Sequence, residues 1–186
     1  MDISSDTVAQ IKTFGIPLLI GVSGFGGAGK STFARALGEA LGAPVIGVDS
    51  FMKDRTADYS RWEGIDYARL KAEVVVPFLA GANPIRYGHF DWTTNGVIKT
   101  NEIQHDDIII VEGVGLFRPE LKDLFGYKVW VDCPVDEATR RGKKRDREEY
   151  KNPQDENWDG IWKRNDEEHF EAHSPKEAAD FIFKNC

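Results

Sequence analysis

The chain has 186 residues, 41% of them hydrophobic, and a formal net charge of -7 at pH 7. This length suits one compact domain over residues 1–186. The acidic balance argues against nucleic acid as a partner. The longest apolar runs, residues 16–22 and 108–111, are too short to cross a membrane. The two cysteines, Cys133 and Cys186, form no CxxC or zinc-type spacing and indicate a reduced, cytoplasmic compartment.

Strands and helices are predicted to alternate along the chain with short connections. Continuous apolar runs indicate strands buried on both faces of a parallel sheet, and apolar residues four positions apart indicate amphipathic helices. In chain order we predict a strand (16–22), a helix (30–42), a strand (43–49), a helix kinked or ended by its proline (65–81), a hairpin (85–100), two strands (107–113 and 127–133), a charged helix (134–152) and a last strand (178–185). Such alternation predicts a three-layer α/β domain with a mostly parallel sheet.

The segment between the first strand and the first helix is rich in glycine. Residues 24–31, GFGGAGKS, satisfy G-x-x-x-x-G-K-[ST] and lie after a buried strand and before a helix, as this motif requires. The glycines let backbone N–H groups face an anion, and the helix N-terminus adds partial positive charge. A glycine-rich turn with an ordinary surface lysine is the alternative. We expect a nucleoside triphosphate to be bound by Gly24, Gly26, Gly27, Ala28, Gly29, Lys30, Ser31 and Thr32.

Four side chains at this edge of the predicted sheet are candidates for chemistry. Lys30 is expected to reach the β- and γ-phosphates, and the Ser31 hydroxyl to bind Mg²⁺. Glu112 ends a buried strand and is expected to hold a magnesium-bound water. Asp49 ends another strand and is expected to act on a substrate hydroxyl as general base or orienting group. Each carboxylate could instead cap the segment that follows it.

Six segments resemble, in their order along the chain, those of the uridine kinase-like P-loop kinases. They are GVSGFGGAGKST, VDSFMKD, YGHFDW, IIIVEGVGLF, TRRGKKRDRE and SPKEAADFIF, and the resemblance that they mark extends over nearly the whole chain. This family also contains phosphoribulokinase, pantothenate kinase and nicotinamide riboside kinase. The resemblance implies a P-loop NTPase fold and transfer of the γ-phosphoryl group of ATP, with Mg²⁺, to a hydroxyl of a small metabolite such as a nucleoside or nucleoside-like compound. It matches Asp49 to the family's catalytic aspartate.

The arginine-rich helix, residues 134–152, matches the mobile lid of this family. Arg140, Arg141, Arg145 and Arg147 lie within eight positions of an otherwise acidic chain. Arginine suits bidentate contact with phosphate, so we expect Arg141 and Arg145 to stabilise charge on the transferred group. A solvated helix laced with ion pairs is the alternative.

The acceptor region departs from the family pattern. Uridine kinases read YDF followed shortly by a histidine, whereas this chain has Phe90-Asp91-Trp92 and then Asn95. The tyrosine hydroxyl and the imidazole that face the pyrimidine in that family are therefore missing, which puts pyrimidine nucleoside specificity in doubt. The segment is more similar to a branch of the family that carries YDW and a late W-x-x-x-W, as at Trp158 and Trp162.

Several side chains could contact the acceptor substrate. Beside Asp49, the candidates are Asp66, Tyr87, His89, Phe90 and Trp92. The hairpin residues among them could instead pack on the sheet, and Asp66 could instead cap the following helix.

Two other functional classes compete with a small-molecule kinase. A nucleotide-dependent regulatory NTPase of the switch GTPase type needs a guanine-reading Asn-Lys-x-Asp, and the sequence contains none. A non-catalytic ATP-binding module would have no use for Asp49, Glu112 or the arginines. The sequence leaves open whether the protein is a monomer or a homodimer.

Overall fold

A parallel sheet of five strands lies at the centre of the fold, which the computed structural model describes for residues 3–54 and 59–186. In chain order the strands are β1 (Leu18–Ser23), β2 (Val45–Gly47), β3 (Ile85–Asp91), β4 (Gly96–Ile103), β5 (Ile108–Glu112), β6 (Tyr127–Asp132) and β7 (Phe181–Lys184). The sheet order is β2-β5-β1-β6-β7, and β3 pairs with β4 in a separate antiparallel hairpin. Because the five strands are parallel, their carboxyl ends meet at one edge.

Helices cover both faces of this sheet. They are α1 (Ser5–Lys12), α2 (Lys30–Leu41), α3 (Tyr67–Leu70), α4 (Val76–Leu79), α5 (Val135–Glu148), α6 (Asp155–Asn157) and α7 (Lys163–His173). The segment Lys71–Val75 joins α3 to α4 as a π-helical turn, and Trp158–Trp162 joins α6 to α7 in the same way.

Two hydrophobic cores, one on each face of the sheet, hold the layers together. Leu18 and Ile20 of β1 point into the core that contains α2, whereas Leu19 points into the core that contains α3, α4 and the hairpin. Residues Ile109 and Ile110 of β5 divide in the same way. This alternation explains the continuous apolar runs, since a strand buried on both faces needs apolar residues at every position.

The predicted strands and helices are confirmed, with local differences. Strand β2 ends at Gly47, so Asp49 lies in the following 3-10 turn, Val48–Phe51. The helix expected to be kinked or ended by Pro77 runs on through a π-helical turn, which accommodates a residue without an N–H donor. Helix α1 and the helices of residues 155–173 are not predicted from the sequence.

The two cysteines are joined in a disulfide between Cys133 and Cys186. Cys133 follows β6 and Cys186 closely follows β7, and because these strands are parallel neighbours, the residues beyond them lie side by side. Sequence spacing could not reveal this, since the order of strands in the sheet decides it. The pairing does not support the expectation of reduced thiols.

Within residues 3–54 and 59–186, no helix combines the length and the apolar character needed to cross a bilayer.

The tight packing of β1 predicts that Gly21→Ala destabilises the protein. A Cβ at this position would lie 2.7 Å from Cε1 of Phe117 and 3.0 Å from Cδ1 of Phe125. We expect the free energy of unfolding to fall by about 1–3 kcal/mol, the usual cost of overpacking a core. Urea denaturation would measure the change, with Gly96→Ala as control because nothing lies within 4 Å of its Cβ. An unchanged or higher stability of Gly21→Ala would contradict this packing.

Candidate functional site

The glycine-rich loop between β1 and α2 lies at the carboxyl edge of the sheet and is enclosed on several sides. Gly27 and Gly29 have φ angles of +80° and +96°, a left-handed conformation that favours glycine. A Cβ on Gly27 would collide with the backbone carbonyl of Ala138 in α5, and one on Gly29 with the Asn185 side chain. The loop therefore needs its glycines both for its shape and for the close approach of its neighbours.

Lys30 begins α2 and is buried, with 8% of its surface exposed. Its Nζ donates a hydrogen bond of 2.8 Å to the carbonyl oxygen of Phe25 in the same loop. Burial lowers the pKa of Lys30, while the charges of Asp166, Glu112 and Asp49 act in the opposite direction. The ammonium group is thus the centre of a charged cluster.

Two of the predicted carboxylates, Asp49 and Glu112, reach this cluster from neighbouring strand ends. Asp49 is accessible to solvent, but the protein atoms around it partly desolvate its carboxylate and raise its pKa, against the charges of Lys30 and Arg145. Burial likewise raises the pKa of Glu112, which accepts a hydrogen bond from Ser31. Both carboxylates therefore lie within electrostatic range of Lys30, as their positions in the sequence predict.

A third carboxylate, Asp166 of α7, was missed by the sequence analysis. Its Oδ2 accepts a hydrogen bond of 2.7 Å from the Gly26 N–H, and its Oδ1 accepts one of 2.7 Å from the Trp62 indole. Burial raises its pKa to about 6 against the influence of Lys30. The recurrence of Trp158, Trp162, Asp166 and Phe170 at intervals of four is the helical signal that could have indicated α7 and its buried face.

The same glycine-rich loop, residues 24–29 and called the phosphate loop from here on, is also fixed by its own phenylalanine. The Phe25 ring packs edge-to-face on Trp130 of β6, with centroids 5.4 Å apart, and lies 5.3 Å from the Phe170 ring of α7. Helix α7 therefore contacts the loop both by a hydrogen bond and by aromatic packing.

The arginines of α5 divide between ion pairs and the charged cluster. Arg140 and Arg141 both bond to Glu137, and Arg141 also donates to the carbonyl oxygen of Asn185 at 2.8 Å. Arg147 pairs with Asp155 across to α6 at 2.7 Å. These contacts match the ion-pair alternative for the helix.

Among the arginines of α5, Arg145 is the one whose charge acts on Lys30 and Asp49. It lowers the pKa of both Lys30 and Asp49. Its guanidinium bonds to Asp146, which is held in turn by the Trp158 indole at 2.7 Å. The contacts of Arg141 and Arg145 with phosphate stay predictions. Arg145 is the stronger candidate of the two for such a contact, because its charge acts on Lys30 and Asp49.

The hairpin is held against the turn that carries Asp49 by the partly buried ion pair of Arg69 and Glu73. Arg69 donates to the carbonyl oxygens of Ser50 at 2.6 Å and of Gly88 at 3.0 Å, and Glu73 accepts from the Gly88 N–H at 2.8 Å. His89 follows Gly88, and its Nδ1 lies 3.1 Å from the Ser50 hydroxyl. Among the proposed acceptor residues of the hairpin, His89 is therefore bonded to the residue after Asp49.

The other proposed acceptor residues make structural contacts. Tyr87 is buried and stacks on Phe51 with centroids 5.5 Å apart, and the fully buried Phe90 packs against the partly exposed ring of Trp92. Asp66 caps α3 by accepting from the Arg69 N–H at 3.0 Å. The packing and capping alternatives account for these contacts, and a role in binding the acceptor stays a prediction.

The metal expected at this site would have to be held partly by groups other than protein carboxylates. The Ser31 hydroxyl and Glu112 carboxylate are hydrogen-bonded neighbours, which fits a Mg²⁺ that keeps several waters and phosphate ligands. Outside residues 1–2 and 55–58, no three His, Cys, Asp or Glu side chains cluster in a way that could hold a metal ion.

Comparison with known proteins gives consistent relatives. A family model described as an AAA domain matches residues 20–171. The uridine kinase of Alkaliphilus metalliredigens is 31% identical over 147 residues, covering 72% of this chain and 70% of the relative. The structure of a possible uridine kinase from Bacillus stearothermophilus matches with a TM-score of 0.70 at 23% identity, over 96% of this chain and 94% of that chain. The structure of a putative fructose transport system kinase from Silicibacter sp. TM1040 matches with a TM-score of 0.72 at 18% identity, over 96% of this chain and 97% of that chain. The two structures establish the fold alone.

The raised pKa of Asp166 predicts how stability depends on pH. Its pKa is 3.8 in model peptides and about 6 in the fold, so the folded state binds a proton more tightly. The stability that this proton confers is fully present below pH 4 and is lost as the pH rises through 6. Relative to Asp166→Asn, the free energy of unfolding of the wild type should therefore fall by about 1–3 kcal/mol over this range, measured by urea denaturation. A constant difference would contradict the raised pKa.

Proposed function

The chain belongs to the uridine kinase-like P-loop kinases, and on this premise we propose that it transfers the γ-phosphoryl group of ATP to a hydroxyl group of a small metabolite such as a nucleoside or nucleoside-like compound. The protein is a small-molecule kinase. The observation that carries the proposed chemistry is the convergence of Lys30, Asp49 and Glu112 at the carboxyl edge of the sheet, where their charges act on one another.

Binding of the triphosphate is supported by the unusual situation of Lys30. Within the part of the chain that the structure describes, its ammonium group bonds to a loop carbonyl, a contact that phosphate oxygens can replace at little cost. The backbone N–H groups of the loop and the N-terminus of α2 add partial positive charge for the β- and γ-phosphates. A cation that is already buried interacts more strongly with phosphate than an exposed one, because solvent screens it less.

Magnesium fits beside the phosphates, and Ser31 and Glu112 would hold it. When bound, Mg²⁺ would neutralise the negative charge that develops on the transferred phosphoryl group and on the leaving oxygen of the nucleotide. The protein's part is to orient the Ser31 hydroxyl through its hydrogen bond with Glu112. Glu112 is fixed between two strands, since it pairs in register with Val22 of β1 and Gly47 of β2.

Asp49 is proposed to accept the proton of the acceptor hydroxyl. Its raised pKa makes it a stronger base than an exposed aspartate, while Lys30 and Arg145 limit that rise and favour the ionised form needed to accept a proton. Its access to solvent leaves its oxygens open to the acceptor. Lys30, together with the positive charge of Arg145, is proposed to stabilise the transferred group.

Acceptor-stimulated ATP turnover would test the proposed reaction. Wild-type protein is assayed with Mg²⁺ and ATP, alone and with a panel of nucleosides, vitamins and sugars. We expect one acceptor class to stimulate turnover strongly, and Lys30→Ala to lose about 10²–10³-fold of the stimulated rate. Lys12→Ala, on the exposed face of α1, is the control and should behave as wild type. A Lys30→Ala enzyme with normal turnover would contradict the phosphate-binding role.

Replacement of Asp49 separates its role from nucleotide binding. Asp49→Asn should lower kcat by about 10²–10⁴-fold, the range for a lost general base, and leave the Kd for ATP nearly unchanged. Calorimetry gives the Kd and steady-state kinetics give kcat. Asp123→Asn serves as control, because this exposed carboxylate lies before β6, at the opposite edge of the sheet. A parallel loss of ATP affinity would mean that Asp49 serves the metal instead.

We predict that uridine and cytidine are poor acceptors. Phe90 lacks a hydroxyl and is fully buried, and the Asn95 amide donates a hydrogen bond of 2.9 Å to Asp54. Neither side chain is therefore available to bind a base as the tyrosine and histidine of uridine kinases do. Each lost hydrogen bond costs about 1–3 kcal/mol, so selectivity for the base should be erased. If kcat/KM for uridine or cytidine far exceeds that for all other acceptors in the panel, this prediction is wrong.

A further inference from the structure

Asp166 contacts two functional segments with its two oxygen atoms. Oδ2 accepts from the Gly26 N–H of the phosphate loop, and Oδ1 accepts from the Trp62 indole N–H, both at 2.7 Å. The carboxylate is 5% exposed, so water does not screen these contacts. The neighbouring Asn165 reinforces the second one, because its Oδ1 accepts from the Trp62 backbone N–H at 2.7 Å.

Trp62 belongs to the 59–66 segment, which is bonded to the turn that carries Asp49. The Asp66 N–H donates to the carbonyl oxygen of Phe51 at 2.6 Å, and the Lys53 N–H donates to that of Gly64 at 2.8 Å. An antiparallel bridge between residues 52 and 65 completes this connection. These contacts connect the segment of Trp62 to the residues next to Asp49.

The charge of Asp166 makes its position depend on what occupies the phosphate loop. Among the carboxylates near Lys30, it has the strongest influence on the ammonium group. Nucleotide phosphates that bind to Lys30 and to the loop bring several negative charges next to this buried anion. Like charges at such distances repel strongly where solvent is excluded, and phosphate oxygens compete with Oδ2 for the loop N–H groups.

We propose that Asp166 is a positioning residue that couples occupancy of the phosphate loop to the 59–66 segment and, through it, to the turn that carries Asp49. Arrival of the phosphates weakens the contact between Asp166 and Gly26. The carboxylate shifts away from the loop, Trp62 follows it, and the hold on the 59–66 segment loosens. The 59–66 segment and the turn that carries Asp49 thus respond to nucleotide before any acceptor binds. This inference rests on the proposed function only in requiring that ATP binds to the loop.

Hydrogen exchange with a nucleotide analogue tests this coupling without knowledge of the acceptor. Wild-type protein is compared with and without AMP-PNP and Mg²⁺, and exchange is followed in peptides that cover residues 59–66. We expect exchange to rise on loading, with the Trp62 amide most affected because it is bonded to Asn165. In Asp166→Asn the rise should be lost, since an amide offers one acceptor oxygen and cannot satisfy both donors.

Two further variants make the result specific. Glu167→Gln is the matched control, because this exposed neighbour on the same helix undergoes the same chemical change and should keep the wild-type response. Trp62→Phe keeps the ring and removes the indole N–H, so it should lose the response even if Asp166→Asn does not fold. The Kd of Asp166→Asn for AMP-PNP should be unchanged or lower, since a negative charge has been removed beside the phosphates.

The outcomes separate the coupling from the proposed function. A failure of AMP-PNP to bind the wild type would overturn the proposed function and the coupling with it. Binding without a response of residues 59–66, protection in place of increased exchange, or an unaltered response in both Asp166→Asn and Trp62→Phe would overturn the coupling alone.

Discussion

The burial of one ammonium group organises the carboxyl edge of the sheet in this protein. A buried cation is strongly destabilising unless charge and hydrogen bonds compensate it, and among residues 3–54 and 59–186 the hydrogen bond of the Lys30 ammonium group goes to the carbonyl oxygen of Phe25. Compensation comes from Asp49, Glu112 and Asp166. The protein around each of these carboxylates raises its pKa by desolvation, so each ionised form is itself held at a cost and the four groups depend on one another.

The same arrangement explains why the site needs the whole sheet. Lys30 follows β1, Asp49 follows β2, Glu112 ends β5, and Asp166 arrives from a helix on the side of β6. No single element supplies more than one of these charges. The charged cluster is therefore a product of parallel topology, which brings the strand ends together, and of α7, which closes over them.

The sequence predicts the parts of the site that follow strand ends and little of what helices contribute. The glycine motif, Asp49 and Glu112 follow apolar runs, and their meeting is a consequence of parallel strands that any sequence pattern of this kind implies. Asp166 lies in a polar, charged stretch without such a marker, and its burial depends on how α7 crosses the loop. The pairing of Cys133 with Cys186 could not be predicted from the sequence for a similar reason, since it depends on β6 and β7 being neighbours in the sheet.

The phosphate loop is local in sequence but not in structure. The partner of the Gly26 N–H lies 140 positions further along the chain, and that of the Ala28 carbonyl, the Asn185 amide, lies 157 positions away. A polypeptide leaves the ribosome from its N-terminus, so the glycine motif is made long before either partner exists. Contacts of such large sequence separation also form slowly, because much chain must be ordered first. The enclosure of this loop is consequently a late product of folding, and a nascent chain that already displays the complete motif does not yet have the contacts that surround it.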